Sequence, residues 1–203
     1  FFVIQSVKAE QFGIGLTGAL HQLDVSGTET TRSSNEKNSG SHDEQVVVPE
    51  IFVEAILDNG AAVGLSYIPT RDMGSKSRTD SNSEGDSGTY KAQAEVSNVV
   101  QLYTDIPTGN LGSFPIHTKL GLQRITLDTL ESLNSGSVYP NRDLMGFTVG
   151  LGTKGDLPFG NLYYKGEFTY TNFESYEATS NASNKVVADL EDYAAKFSIG
   201  YKF

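Results

Sequence analysis

Residues 193–203 read YAAKFSIGYKF, and their order leaves little choice of backbone. Tyr193, Ala195, Phe197, Ile199, Tyr201 and Phe203 fall at every second position, with Ala194, Lys196, Ser198, Gly200 and Lys202 between them. Only an extended strand sorts those two sets onto opposite faces, because successive side chains on a strand point to opposite sides of the sheet. A helix would scatter the apolar residues around its axis. The predicted strand has one greasy face with aromatics at both ends and one polar face that carries Lys196 and Lys202.

The same period of two recurs upstream and predicts strands over about residues 11–25, 45–57, 61–70, 89–104, 116–127, 143–153 and 161–173. The first sets Phe12, Ile14, Leu16 and Leu20 against Gly13, Gly15, Thr17, Ala19 and His21. The second sets Val47, Ile51 and Val53 against Glu50 and Glu54, and the third puts Val63, Leu65 and Tyr67 on its apolar face. The fourth opposes Tyr90, Ala92, Ala94, Val96, Val100 and Leu102 to Lys91, Gln93, Glu95, Ser97 and Gln101. In the fifth, Ile116, Leu120 and Leu122 oppose His117, Lys119 and Gln123, but the alternation slips, since Ile125 and Leu127 are then the apolar residues. A bulge near residues 123–124 would account for the slip. The sixth alternates Met145, Phe147, Val149 and Leu151 with Gly and Thr, and the seventh opposes Leu162, Tyr164, Phe168 and Tyr170 to Lys165, Glu167, Thr169 and Thr171.

The connections alternate too. Long polar stretches at residues 26–44, 71–88, 128–142 and 174–189 take turns with shorter ones at 58–60, 105–115 and 154–160. Asn59-Gly60 supplies the positive φ that a tight hairpin needs. Such a chain runs up and down, with its brief turns at one end and its extended connections at the other. A soluble barrel would bury the apolar faces and leave the charged ones in water. Here the polar faces carry Glu50, Glu54, Lys91, Glu95, Lys119, Lys165, Glu167, Lys196 and Lys202, always opposite the aromatics. As the lining of a narrow interior these groups can pair, whereas an unpaired buried charge costs several kcal/mol. The pattern is therefore inside-out, which also explains a mean hydropathy of −0.30 in a chain meant for lipid. The predicted fold is all-β, an eight-stranded antiparallel up-and-down transmembrane β-barrel formed by residues 10–203 as one domain. At 203 residues the length suits one domain, and no run of about 20 apolar residues offers a helical span. The net charge of −10, with no Lys/Arg cluster, argues against nucleic acid, and the absence of Cys removes disulfides and thiolate metal sites.

With its strict alternation up to Phe203, the closing stretch resembles the last strand of bacterial outer-membrane β-barrels, where that pattern is the assembly signal. Residues 11–203 taken together resemble the small OmpA/OmpX-like barrels. The resemblance implies a place in a Gram-negative cell envelope, with both chain ends on the periplasmic side and the long connections outside. It implies that Tyr193, Phe197, Ile199, Tyr201 and Phe203 face lipid and are read by the outer-membrane barrel assembly machinery. Outer-membrane lipid and lipopolysaccharide are then the expected surroundings. With no Trp in the chain, Tyr and Phe must form the interfacial bands. Residues 1–9, FFVIQSVKA, read as the tail of a secretory signal peptide cleaved after Ala9, or else as an N-terminal segment packed at the barrel.

Eight strands enclose an interior just wide enough for side chains to fill. Glu50, Glu54, Lys91, Glu95, Lys119, Lys165, Glu167 and Lys196 are the candidates for a lumen charge network that plugs it. The expected role is then structural, or one of surface interaction with an unidentified ligand through four long acidic outer connections. The alternatives are a narrow channel for small or hydrophobic solutes and a lipid A-modifying enzyme. Catalysis would need a nucleophile or base held by a neighbour. Of the three His residues, His42 lies between Ser41 and Asp43 in a predicted loop, while His21 and His117 fall on lumen faces. The His-x-Ser pair of the lipid A deacylase type does not occur, so no enzyme is expected. Residues 80–86 imitate the start of a calcium loop, but the twelfth position is Lys91 where the loop needs Glu, so neither metal nor cofactor is expected.

Overall fold

The computed structural model describes residues 9–32, 34–80, 88–129 and 138–203, and for 71–80 and 88–93 the backbone alone. The strands are β1 (Ala9–Thr30), β2 (Lys37–Leu57), β3 (Ala62–Ile68), β4 (Arg71–Asp80), β5 (Gly88–Leu111), β6 (Phe114–Thr129), β7 (Arg142–Asp156), β8 (Leu162–Phe173), β9 (Tyr176–Thr179) and β10 (Lys185–Lys202). Neighbours run β1-β2-β3-β5-β6-β7-β8-β10, all antiparallel, and β10 pairs back onto β1 from Gly13 opposite Lys202 to Thr30 opposite Lys185. Past short breaks, β4 prolongs β3 against β5, and β9 prolongs β8 against β10. Among the described residues, eight strands thus close a ring, while the extensions β4 and β9 each pair on one side only. The seam is tied at its end by Phe12 and Phe203, which exchange backbone bonds of 3.0 and 2.9 Å.

Alternation puts the apolar faces outside. Leu16, Leu151, Phe197 and Phe203 are 65, 60, 58 and 69% exposed, and Phe168 reaches 74%. With Phe12, Ile14, Val53, Leu65, Leu102, Leu122, Phe147 and Ile199 they make a continuous exposed belt. Water would not tolerate so large an apolar surface on a monomer, and hydrocarbon does. Tyr193 and Tyr201 flank Phe197 and Ile199 on β10, and the rings of Tyr170 and Tyr193 meet at 5.0 Å. The fold is a transmembrane β-barrel.

The end bearing the chain termini has the tight turns. At 58–60, Gly60 takes φ +82°, Leu57 N–H donates to Ala61 O at 2.8 Å, and Asn59 Oδ1 accepts from the Ala61 N–H at 3.0 Å. The stretch expected as an 11-residue turn at 105–115 is mostly strand, and the chain reverses at Gly112 (φ +63°) between β5 and β6. At the distal end the described parts of the polar stretches at 26–44, 71–88 and 174–189 are also largely strand rather than loop. β1 and β2 stay paired up to Thr30 opposite Lys37, because Thr and Ser suit a two-sided polar ladder, as in the Thr28–Ser39 hydroxyl contact of 2.9 Å. Likewise β9 and β10 pair from Tyr176 opposite Ala188 to Thr179 opposite Lys185. Residues 1–8 and 81–87 lie outside the described residues, and with them most of the signal-like segment and of the calcium-like stretch.

Two expectations about parity change. No bulge interrupts the β6–β7 register, which runs unbroken from Ile116 opposite Thr153 to Leu127 opposite Arg142. Ile125 is apolar because it points inward, at 1% exposure, where the lining itself turns apolar. The irregularity is on β5 instead: the register shifts between Ser97 and Val100, with Asn98 at φ +50°. Beyond that bulge parity inverts, so Val96, expected on the lipid face, is fully buried. Glu95, expected in the lumen, is half-buried on the opposite parity to Val96.

Candidate functional site

The terminal half of the lumen is built on Glu54. Its inward place on β2 follows from alternation with the exposed Val53, and its side chain is wholly buried. Oε1 accepts from Lys154 Nζ at 2.8 Å and from the Tyr163 hydroxyl at 2.9 Å. Oε2 accepts from the Tyr103 hydroxyl at 2.8 Å and from Lys165 Nζ at 3.1 Å. The tyrosine rings reach it because glycine faces them. A Cβ on Gly64 would strike the Tyr103 ring, and one on Gly200 the Tyr163 ring. Lys165 Nζ also meets Asp105 Oδ2 at 2.7 Å, and Lys119 Nζ meets Asp105 Oδ1 at 2.8 Å and Glu167 Oε1 at 3.1 Å. Lys119 Nζ lies 3.5 Å from the centre of the Tyr103 ring, a cation–π contact shielded from water. Asp105 makes no well-angled hydrogen bond, but an ammonium group stands within 2.8 Å of each oxygen, and the ion pairs satisfy it.

Next comes a second cluster. Lys196 Nζ donates to Glu50 Oε1 at 2.7 Å. His21 Nε2 reaches the same oxygen at 3.2 Å, and its Nδ1 lies 2.8 Å from Asp192 Oδ2. Beside it Thr17 and Ser198 share a hydroxyl contact of 2.7 Å, and Gln101 Nε2 donates to Thr148 Oγ1 at 2.8 Å. Further toward the distal end the lining becomes apolar: Leu23, Val48, Ile68, Val96, Val99, Ile125, Leu144, Phe173, Tyr176 and Leu190 form one buried cluster. The lumen expected to be polar throughout is therefore polar in its terminal half and apolar in its distal half. The distal rim is ion-paired again, but in water, where Arg124 meets Asp143 at 2.5 Å. Hydrogen bonds from Arg124 and then Thr126 hold the Asp143 carboxyl below its ordinary range. That contact is intact at neutral pH and is lost as pH falls through the lowered value.

Of the candidates, Glu50, Glu54, Lys119, Lys165, Glu167 and Lys196 are all buried and stand within these clusters. Lys91 lies on β5 outside the described side chains, and Glu95 is displaced by the bulge. Tyr193, Phe197, Ile199, Tyr201 and Phe203 are exposed on the outer surface. Asp105, Asp192, Lys154, Tyr103 and Tyr163 were not anticipated. The parity of Gln101 and Tyr103 continues to Asp105, and that of Lys196 and Ala194 continues to Asp192. Both lie one residue beyond the strand ends at 104 and 193 that the apolar alternation predicts. Lys154 reaches in from a segment read as a turn. His21 and His117 do face inward, and His117 Nε2 sits 3.0 Å from Glu167 Oε1.

The chemistry open to these groups is limited by their pairing. Asp105, His117 and Glu167 bring one potential ligand atom each within 4.8 Å of one another. Lys119 and Lys165 already hold the carboxylates, so a divalent cation would have to enter beside two ammonium charges. The trio belongs to an ion-pair cluster, and its donor set does not suit a metal.

No family model matches the chain, and no curated protein matches it. Solved structures do. The outer membrane protein OprG from Pseudomonas aeruginosa is 18% identical over 97% of this chain and 97% of its own, with a TM-score of 0.65. The outer membrane protease OmpT from Escherichia coli is 9% identical over 98% and 99% of the two chains, at a TM-score of 0.46. Neisserial surface protein A is 12% identical over 91% and 97%, at a TM-score of 0.40. The last two superpose too loosely to carry an argument, and at 18% identity the first speaks for architecture only. The chain has the fold of the small outer-membrane β-barrels, an antiparallel ring whose greasy surface is its outside.

Proposed function

We propose that this protein resides in the bacterial outer membrane as a sealed barrel whose role is structural or one of surface interaction, and not catalytic. Its surroundings are outer-membrane lipid and lipopolysaccharide, and its terminal strand is the part read by the barrel assembly machinery. The observation that carries the reading is the set of ion pairs bridging the lumen: Glu54 joins β2 to β7, directly across the ring, through Lys154, and to β8 through Lys165. Side chains that hold opposite walls together leave no aqueous path. The distal hairpins, which include Glu29, Glu36, Asp43, Glu44, Glu174, Glu177 and Asp189, would then be the face offered to the outside. Purified protein in planar bilayers or liposomes is expected to give no steady conductance, and large steady currents would overturn the sealed lumen. Mass analysis of lipid A from cells with and without the protein is expected to show the same species.

The apolar lining of the distal half favours a second reading, a narrow path for small hydrophobic solutes. Such a solute would meet the layer of Glu50, Lys196 and His21 below it. Uptake of an apolar tracer by liposomes, faster with the protein than without, would favour this reading over the first.

A further inference from the structure

The two charged clusters do not fill the space between them. A cavity of about 10 Å³ remains, lined by Thr17, Ser198, Ser66, Lys196, Lys119 and Glu167 among others. That is about the volume that holds one water molecule. Two independent features give this cavity a polar wall with unused hydrogen-bonding capacity. Ser66 is 5% exposed, and its hydroxyl has no hydrogen-bond partner. Lys196, also buried, carries three ammonium donors, and Glu50 is the one acceptor it meets among the described residues. Donors left over beside a polar void of this size are what ordered interior water satisfies.

We propose that this cavity is a binding site for a single water molecule, which accepts from Lys196, bonds Ser66, and joins the Glu50 cluster to the Glu167 cluster. Charge selects water over an ion. Five lumen carboxylates (Glu50, Glu54, Asp105, Glu167 and Asp192) face four ammonium groups (Lys119, Lys154, Lys165 and Lys196), and the imidazoles of His21 and His117 each already contact a carboxylate, so no unpaired positive charge is left for an anion. The ammonium groups on the wall exclude a cation. A neutral molecule with two donors and two acceptors fits both. Once it is bound, the lumen holds one hydrogen-bonded block instead of two, and disturbance of either cluster is felt in the other.

The site rests on the filled-lumen reading, and its test is separate from conductance. Water-to-protein magnetisation transfer by NMR on the full chain in nanodiscs should give a cross-peak from a long-lived water to the Ser66 amide. Ser66→Val places methyl groups in the cavity and should abolish the cross-peak, while Thr28→Ala on the distal hairpin should leave it. A crystal grown with bromide in place of chloride should show no anomalous peak there. Absence of the cross-peak in a non-conducting wild-type barrel overturns the water site and leaves the sealed lumen standing. Bromide density in the cavity overturns the choice of water.

Discussion

Replacing Glu54 with glutamine is expected to destabilise the barrel by about 3–5 kcal/mol, the usual cost of stranding a buried partner charge. Glu54 accepts from Lys154, Lys165, Tyr103 and Tyr163 at 2.8–3.1 Å. Glutamine keeps the shape but removes the charge and turns one acceptor into a donor, which then faces an ammonium group or a hydroxyl. Reversible urea unfolding in lipid vesicles reads the loss. Glu36→Gln, on the exposed distal turn, should change stability by less than about 0.5 kcal/mol. The double variant Glu54→Gln, Lys165→Met should recover part of the loss, because the stranded ammonium goes with it. If Glu54→Gln costs no more than Glu36→Gln, the lumen admits water and the plug is not sealed.

Phe197→Arg is expected to cost about 2–4 kcal/mol in the same assay, the price of a basic side chain near the middle of a bilayer on the lipid face of a barrel. Phe197 lies midway along β10 between Tyr193 and Tyr201 and is 58% exposed. In water an exposed Phe can become Arg at almost no cost, so the size of the effect reports which solvent surrounds the barrel. Val187 offers the comparison within one strand: it shares the outward face of β10, is 45% exposed, and stands beyond Tyr193 in the distal extension. There the same change should cost about 0–1 kcal/mol, because the penalty falls with distance from the midplane. Equal effects at the two positions would remove the case for a membrane.

Most of the ring is legible in the sequence, for a simple reason. With a side-chain period of two, each strand declares both faces at once, and one exposed Val53 beside one Glu54 is enough to orient β2. The same local rule placed Glu50, Lys119, Lys165, Glu167 and Lys196 inside. It failed at Glu95 and Val96, because a bulge at Asn98 adds a residue and inverts parity without any distinctive composition. It also failed to see the polar hairpins as strand. Hydropathy marks where lipid ends, whereas hydrogen bonding between β1 and β2 goes on to Thr30.

The sequence by itself therefore determined the class of the fold, the face that meets hydrocarbon and the burial of most lumen charges, because these depend on alternation along one strand. Only the closed ring decided who pairs with whom. Glu54 meets Lys154 and Lys165 a hundred residues or more away, and Glu50 meets Lys196 across the seam. Those partners depend on how strand registers add up around the barrel, a quantity that no single strand encodes. The same closure left the distal lining apolar and a gap the size of one water beside Ser66, since both arise from side chains converging on a common axis.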